Sequence, residues 1–276
     1  MRRLAARISH RFGGQRCARS VARDPRIVHL DLAGRTLVDV DAVGKWLLLR
    51  FDDERTVFGH LRMDGRWDVG PRSNAPERQR RLEAQMEDGW LTAVDMPVLG
   101  VVETAREHTI VGHLGPDLCG PTEPDVEAIT ARLVANGDRP LAGAMLDQRV
   151  VAGWGNIYAV ETPFIAGVSP NQPINAIDGL DELVRVGVAL IRTNAERGPQ
   201  NTTGRRLDTA HHWVYGRSGR ACGWCSTPIR GAGEHEVSWG RLAYWCPSCQ
   251  RVDDVRVVDG DRVERALALH PARRRL

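Results

Sequence analysis

The amino-acid sequence predicts a multi-domain α+β protein, with a β-sandwich first, a helical part next and a zinc ribbon last. Short alternating apolar runs between turn residues predict an N-terminal β-sandwich with a leading helix over residues 1–117. Apolar residues at helical spacing predict a helical domain over residues 118–212. Two C-x-x-C pairs predict a zinc ribbon over residues 213–251, and residues 252–276 are expected to form a basic, solvated tail.

The sandwich prediction rests on a series of strand-like segments behind one helix. Met1 to Phe12 has apolar residues at helical spacing, and Gly13 ends it. Residues 76–86 are rich in charge and are expected to form a short helix or an ordered excursion. The runs of strand character, separated by turns with glycine or aspartate, cover residues 27–32, 36–40, 46–51, 56–61, 66–69 and 90–102.

Helical spacing begins near residue 124. The segment from Pro124 to Ala135 has one apolar face, with Thr122 or Glu123 placed to cap its start. A second helix is expected after Pro140 and a long third one from Leu183 to Arg197. The pattern therefore predicts several helices packed on a shared apolar core.

A glycine-rich turn precedes another expected helix. Gly153 and Gly155 lie just before a helix that should start near Asn156, which would present backbone amides and an amide side chain at a helix N-terminus. Such a turn binds phosphate well, and it is equally an ordinary connection between helices; the spacing leaves both interpretations open. Residues 193–212 are polar and are expected to form a mobile loop into the ribbon.

Four cysteines carry the strongest signal in the chain. The sequence C-G-W-C is followed by twenty residues and then by C-P-S-C, so that two tight turns can close four thiolates around one structural zinc ion. The alternative is a pair of disulfides or of redox-active dithiols. Because such a ribbon has little apolar surface of its own, it should unfold without the metal. The expected ligands are Cys222, Cys225, Cys246 and Cys249.

Arginines and aromatic residues surround these cysteines. Between residues 215 and 251, five arginines face only two glutamates, and aromatic side chains lie among them. This composition suits a surface that lies along phosphates, and it also suits a solvated face with aromatics packed beneath it. The residues concerned are Arg217, Arg220, Arg230, Arg241, Arg251, Trp224, Trp239, Tyr244 and Trp245.

Composition places the chain in a reducing compartment. The formal net charge is +3 and the pI about 8.7, which is compatible with an anionic partner. Apart from the ribbon, Cys17 and Cys119 stand alone, as is usual in the cytoplasm. The sequence has no long apolar run and no signal-peptide pattern at its start, so we expect a soluble cytoplasmic monomer without a membrane partner.

Lys45 is the sole lysine among 38 basic side chains. Arginine keeps its proton, whereas lysine can act as an amine base or form an imine once its pKa is lowered. A single lysine can arise by chance in an arginine-rich composition. The functional interpretation is that an amine, or its compact charge, is required at this position.

Motifs along most of the chain, up to Arg251, resemble those of the formamidopyrimidine-DNA glycosylase and endonuclease VIII family of DNA glycosylases and abasic-site lyases. They occur in the order of the family: VGKWLLLRF, GHLRMDGRW, GWGNIYAVETPFIAGVSP, WVYGRSGRACGWC and GRLAYWCPSCQ. The resemblance implies a helix-two-turn-helix domain over residues 118–212 and base-excision repair of double-stranded DNA, acting at the nucleoid. Activity would comprise removal of an oxidised base and cleavage of the abasic site by β-elimination.

The resemblance also implies roles for individual residues. Lys45 falls on a lysine that contacts the phosphate beside the lesion and assists strand cleavage. His60 falls on a phosphate-contacting histidine, and Met63 on the wedge that fills the gap of the extruded nucleotide. Asn156 falls on an asparagine that grips the DNA backbone, and Arg241 on the arginine that clamps phosphates of the kinked strand. Arg217, in WVYGRSGR, is a further candidate for DNA contact.

Two departures from the family pattern modify these expectations. The family begins Met-Pro-Glu-Gly, where proline is the nucleophile and glutamate the acid or base, whereas this sequence begins Met1-Arg2-Arg3. Either the start lies upstream or the protein binds lesions without cutting, so the 276-residue chain is expected to be weak or inactive. The stretch 95–100 lacks the arginine and phenylalanine that mark the oxidised-purine branch, which favours oxidised pyrimidines as substrates.

A zinc-ribbon nucleic-acid adaptor is the third, less favoured, alternative function.

Overall fold

The computed structural model describes residues 1–198, 200–205, 211–253 and 255–276, which form two compact units. The first unit spans Met1–His113 and the second spans Leu114–Leu276. Among the described helices, none combines the length and apolar character needed to cross a lipid bilayer.

The first unit is a sandwich of two antiparallel sheets with a leading helix, as the sequence predicts. One sheet has the strand order β2-β3-β4-β8, and the other has the order β1-β6-β7-β5. Helix α1 packs on β2 through Ala5, Ile8 and Phe12, which are buried. The elements are α1 (Arg2–Phe12), β1 (Arg19–Ala22), β2 (Leu37–Val43), β3 (Trp46–Phe51), β4 (Arg55–His60), β5 (Arg66–Gly70), β6 (Arg80–Met86), β7 (Gly89–Val94), β8 (Val98–Glu103) and α2 (His108–Val111).

Two local predictions in this unit were wrong. The strand expected at residues 27–32 is absent from the described structure; a 3-10 turn at Pro25–Ile27 and a loop occupy the region, and β1 lies earlier. The apolar alternation there arises because Ile27, Leu30 and Leu32 insert into the core from a loop. Sequence pattern alone does not separate these two cases.

The charged segment 76–86 contains a strand rather than the expected helix or excursion. In β6 the side chains of Leu82, Ala84 and Met86 are buried and alternate along the strand. Glu83 between them is fully buried and forms ion pairs with arginines from other segments, which conceals the alternation in the sequence. A tertiary ion-pair network therefore decided this element.

The second unit combines helices with a small hairpin. Its largest helix begins at Leu180, three residues before the predicted start, after Gly179 in the left-handed conformation. Asp125, rather than Thr122 or Glu123, caps α3 by accepting a hydrogen bond from the Ala128 amide (3.0 Å). The elements are α3 (Val126–Val134), α4 (Leu141–Leu146), α5 (Asn156–Ile165), β9 (Ile177–Asp178), α6 (Leu180–Arg197), β10 (Arg230–Ala232), β11 (Ala243–Trp245), β12 (Arg256–Val257) and α7 (Gly260–Leu267).

The segment after the last cysteine is not a solvated tail. Strand β12 pairs in parallel with β9, and α7 buries Val263, Ala266 and Leu267 against the core of the second unit. The predicted loop 193–212 is also only partly a loop, because its first residues complete α6 and Thr202 is fully buried. Residues 199 and 206–210 of that prediction lie outside the described residues.

Candidate nucleic-acid interface and metal centre

Lys45 and His60 lie together at one end of the β2-β3-β4-β8 sheet. Gly44 and Lys45 form the turn between β2 and β3, and Gly44 adopts a positive φ of 56° that favours glycine. In the next strand pair Trp46 lies opposite His60, which brings the lysine charge close enough to act on the imidazole. The hairpin register thus joins two residues that are fifteen positions apart in the sequence.

The environment of His60 keeps its ring neutral. Burial, followed by the charges of Arg62 and Lys45, lowers the pKa of His60 from 6.5 to about 4. Its Nδ1 accepts a hydrogen bond from the Arg62 amide (3.1 Å), and its ring packs edge-on against Trp46 at 5.2 Å between centroids. Because Nδ1 acts as an acceptor, the ring proton lies on Nε2, which can donate to an anionic oxygen.

Met63 is held out from the turn that follows β4. Its side chain is 78% exposed, although methionine is usually buried. The turn is closed by a hydrogen bond from the Gly65 amide to the Leu61 carbonyl (2.9 Å). A Cβ at Gly65 would approach that carbonyl and Pro97 to 2.9 Å, so this tight turn requires glycine. The turn presents an apolar, flexible side chain, as a wedge into stacked bases would need.

In the second unit, the start of α5 is joined to the cysteine hairpin, which is residues 222–249 with the strands β10 and β11. The Asn156 side-chain amide donates to the Leu242 carbonyl (2.9 Å), next to Arg241. Arg241 is exposed in the connection that leads into β11, after Gly240 at a φ of 65°. The fold therefore brings together Asn156 and Arg241, which are 85 positions apart in the sequence.

Arg217 is turned toward its own loop. Its guanidinium donates to the carbonyls of His212 (3.2 Å) and Ala221 (3.3 Å), so it stabilises the segment before the first cysteine pair. Three of the four aromatic residues noted around the ribbon, Trp224, Trp239 and Tyr244, pack against the core of this unit. The arrangement favours the alternative in which these aromatics lie beneath the arginine-bearing surface.

Sequence reasoning missed Glu161, which anchors the segment that leads to the cysteines. The carboxylate of this fully buried residue of α5 accepts hydrogen bonds from the backbone amides of Trp213 (2.8 Å), Val214 (2.7 Å) and Tyr215 (2.7 Å), and from the Thr202 hydroxyl. An acidic residue inside an otherwise apolar helix was the signal that could have identified it.

The four predicted cysteines converge. Their ligand atoms all lie within 4.8 Å of one another, with Sγ–Sγ distances of 3.9 Å for Cys222–Cys249 and 3.4 Å for both Cys225–Cys246 and Cys225–Cys249. A tetrahedral Zn²⁺ with Zn–S bonds of ~2.3 Å separates its sulfurs by ~3.8 Å, so this donor set fits the ion. The amides of Trp224 and Cys249 point at the Cys222 and Cys246 sulfurs at 3.5 Å, as in metal-binding turns.

These observations define a helix-two-turn-helix protein with a preceding two-sheet unit and a four-cysteine hairpin. Residues 2–102 match the model of the formamidopyrimidine-DNA glycosylase N-terminal domain, and residues 114–200 match that of the formamidopyrimidine-DNA glycosylase H2TH domain. The chain belongs to the formamidopyrimidine-DNA glycosylase and endonuclease VIII family.

Curated relatives and solved structures agree with this membership. A probable endonuclease 8 2 of Streptomyces coelicolor is 40% identical, covering 89% of this chain and 90% of that protein. The DNA-(apurinic or apyrimidinic site) lyase Nei2 of Mycolicibacterium smegmatis is 36% identical, over 89% of this chain and 95% of that protein. The crystal structure of the MutM (Fpg) protein of Thermus thermophilus has a TM-score of 0.74 at 28% identity, covering 91% and 97% of the two chains.

Proposed function

We propose that this protein acts in base-excision repair, where it binds damaged double-stranded DNA, removes oxidised bases and cleaves abasic sites by β-elimination. Relatives of 36–40% identity over about nine-tenths of the chain carry the names endonuclease 8 and abasic-site lyase, and this observation carries the proposal. A substrate of this kind would place the protein at the nucleoid in the cytoplasm. Residues 118–212 and 213–251 would serve as its helix-two-turn-helix and zinc-finger domains.

In the first unit we assign Lys45 to the chemistry at the sugar and its adjoining phosphate. The proximity of Lys45 to a neutral His60 supports this assignment, since a nearby amine and an N–H donor suit a phosphodiester. His60 would donate from Nε2 to a phosphate oxygen. Met63 would enter the gap that an extruded nucleotide leaves, and its exposure supports that role.

In the second unit we assign phosphate contacts to Arg241, Asn156 and Arg217. Arg241 is the best supported of these, because it is exposed on a hairpin that Asn156 joins to α5. The side chains of Asn156 and Arg217 both donate hydrogen bonds to carbonyls of the protein. These two residues would therefore support DNA contact partly by fixing the conformation of the backbone around them. A double strand gripped through several phosphates is the general requirement for bending DNA at a lesion.

We propose that the four cysteines hold one structural zinc ion. Four thiolates at tetrahedral spacing support zinc, which would stabilise a hairpin whose two strands have only three residues each. The purified protein should contain one zinc per chain by atomic absorption. The Cys246→Ser variant should lose it, whereas Cys17→Ser, which changes a buried thiol outside the cluster, should retain it. A metal-free wild-type protein would contradict the assignment.

Oxidised pyrimidines are the proposed preference among damaged bases. The stretch 95–100 has neither the arginine nor the aromatic residue of the purine branch, and Leu99 at the corresponding place is 2% exposed in β8. A buried Leu99 has no reach to an opposite base. Duplexes with a single oxidised pyrimidine or purine, compared for base release, test this preference directly.

One binding and cleavage experiment distinguishes the candidate functions. The full chain is titrated with a duplex carrying one abasic site and with the undamaged duplex, and strand cleavage and borohydride-trapped adduct are measured in parallel. A repair enzyme prefers the lesion and cleaves it, and a catalytically inactive lesion binder prefers it without cleavage. Equal binding of both duplexes would contradict both repair functions and favour a zinc-ribbon adaptor.

A further inference from the structure

The C-terminal segment packs against the end of α5 and the cysteine hairpin. The Val258 amide donates to the Asp178 carbonyl (3.0 Å), and the Asp259 amide donates to the Ala166 carbonyl (3.1 Å), just after α5 ends. Helix α7 then follows with one buried face. The segment lies beyond the motifs that identify the family, so its role does not follow from them.

Arg262 of α7 is buried among aromatic rings. Arg262 is 6% exposed, and its guanidinium carbon lies 4.5 Å from the Phe164 ring centroid and 4.4 Å from the Trp224 ring centroid. Its Nε donates to the Phe164 carbonyl (2.8 Å) at the C-terminal end of α5. A buried guanidinium is costly unless negative charge meets it, so its surroundings must supply a compensating group.

The guanidinium of Arg262 lies against the first cysteine turn. The Trp224 ring on which it stacks stands between Cys222 and Cys225, and the Trp224 amide donates to the Cys222 sulfur (3.5 Å). The Nη2 atom of Arg262 is buried and has no hydrogen-bond acceptor in the part of the chain that the structure describes. The negative charge of a four-thiolate cluster would compensate this buried cation. Arg256 adds a hydrogen bond from Nη2 to the Cys249 carbonyl (3.2 Å), which fixes the second cysteine turn.

We propose that Arg262 is a positioning residue of the metal centre, which helps to retain the ion by packing a buried positive charge against Trp224 in the turn between Cys222 and Cys225. The proposal rests on the zinc site assigned above. A divalent ion with four thiolates carries two net negative charges, and partial burial makes that charge expensive. A guanidinium fixed between Phe164 and Trp224 stabilises the charged cluster without entering its ligand set. The C-terminal segment therefore helps to hold the cysteine hairpin and its zinc ion in place.

Zinc release tests this role without any measurement of DNA cleavage. Zinc-loaded wild-type protein and the Arg262→Met variant are mixed with excess chromogenic chelator, and the rate of metal transfer is recorded. We expect about tenfold faster release from Arg262→Met, since outer partners of metal ligands typically change affinity by about ten- to a hundredfold. Arg262→Lys, which keeps the charge, should release zinc at an intermediate rate.

Arg265→Met is the matched control. Arg265 is on the same helix and lies 5.2 Å from the same Trp224 ring, but it is exposed. Its release rate should equal that of the wild type. If Arg262→Met does not yield folded protein, judged by circular dichroism, Arg262→Gln replaces it under the same criteria.

The outcomes separate the two proposals. A wild-type protein without zinc would contradict the metal assignment itself. Wild-type protein with one zinc, together with Arg262 and Arg265 variants that release it equally slowly, would leave the metal assignment intact and overturn the role of Arg262.

Discussion

Lys45 has the sole side-chain amine of this sequence. Its arginine variant distinguishes the contribution of positive charge from that of an amine that can react. Lys45→Arg keeps the positive charge but removes a group able to lose its proton. We expect abasic-site duplex binding near the wild-type level and cleavage lowered by about a hundredfold or more, the usual contribution of an acid–base group. Gel-resolved cleavage and fluorescence anisotropy measure the two quantities.

Lys45→Met is the companion variant, because it removes amine and charge together. It should weaken both binding and cleavage. Wild-type cleavage by Lys45→Arg would show that the residue acts as a charge alone.

His60 makes the stability of the first unit depend on pH. Its pKa is about 4 in the folded protein and 6.5 ordinarily, so the unfolded chain takes up a proton between these values while the folded chain does not. The stabilising contribution is complete above pH ~6.5 and is lost as the pH falls toward ~4. Urea unfolding at several pH values should therefore show wild-type stability falling relative to His60→Gln in this window. Parallel pH profiles for the two proteins would contradict the assignment.

At the scale of elements, α5 connects the proposed DNA contacts to the cysteine hairpin. Asn156, its first residue, donates a hydrogen bond to the Leu242 carbonyl. About one and a half turns later, Glu161 accepts hydrogen bonds from three consecutive backbone amides that precede the cysteines. Carbonyls at and just after its C-terminal end accept hydrogen bonds from the side chains of Arg262 and Arg256. One helix thereby positions both ends of the segment that carries the four cysteines.

Glu161→Ala should destabilise the second unit strongly. The substitution leaves three backbone amides without an acceptor, two of them in buried residues. At a cost of about 1–3 kcal/mol for each buried amide, a loss of about 3 kcal/mol or more is expected. Denaturant unfolding followed by tryptophan fluorescence measures it, because Trp213 is adjacent. Thr202→Val removes one partner of the same carboxylate and should cost only about 1 kcal/mol. Equal, small losses in both variants would show that the carboxylate is not the anchor.

At the scale of the whole molecule, the proposed binding mode predicts a strong dependence on salt. Each phosphate contact releases condensed counterions, so affinity should fall linearly on a log–log plot of binding constant against salt. Arg241→Ala should lower the magnitude of that slope by about one, in damaged and undamaged duplexes alike. Anisotropy titrations at several salt concentrations give the slopes.

Arg185→Ala is the control for this measurement. Arg185 is an exposed arginine of the same unit that pairs with Asp181 on α6. Its slope should match the wild type. An unchanged slope for Arg241→Ala would remove that residue from the proposed set of phosphate contacts.

The sequence by itself determined the architecture and the four-cysteine centre. Turn residues between alternating runs predicted β2 to β5, β7 and β8, helical spacing predicted α3, and the C-x-x-C pairs predicted the four cysteines that the fold brings together. These features are local, because a periodic pattern or a short ligand spacing is complete within one segment.

Only the tertiary structure decided features that depend on partners distant in the chain. Glu83 interrupts the apolar alternation of β6, and it is buried there because it pairs with Arg23 and Arg72 from other segments. Glu161 and Arg262 are buried because the fold brings backbone amides to the carboxylate, and a backbone carbonyl with two aromatic rings to the guanidinium. A charge is stable inside a protein only where a complementary group lies beside it. That group often comes from a distant part of the chain, so the spacing of residues in the sequence does not reveal it.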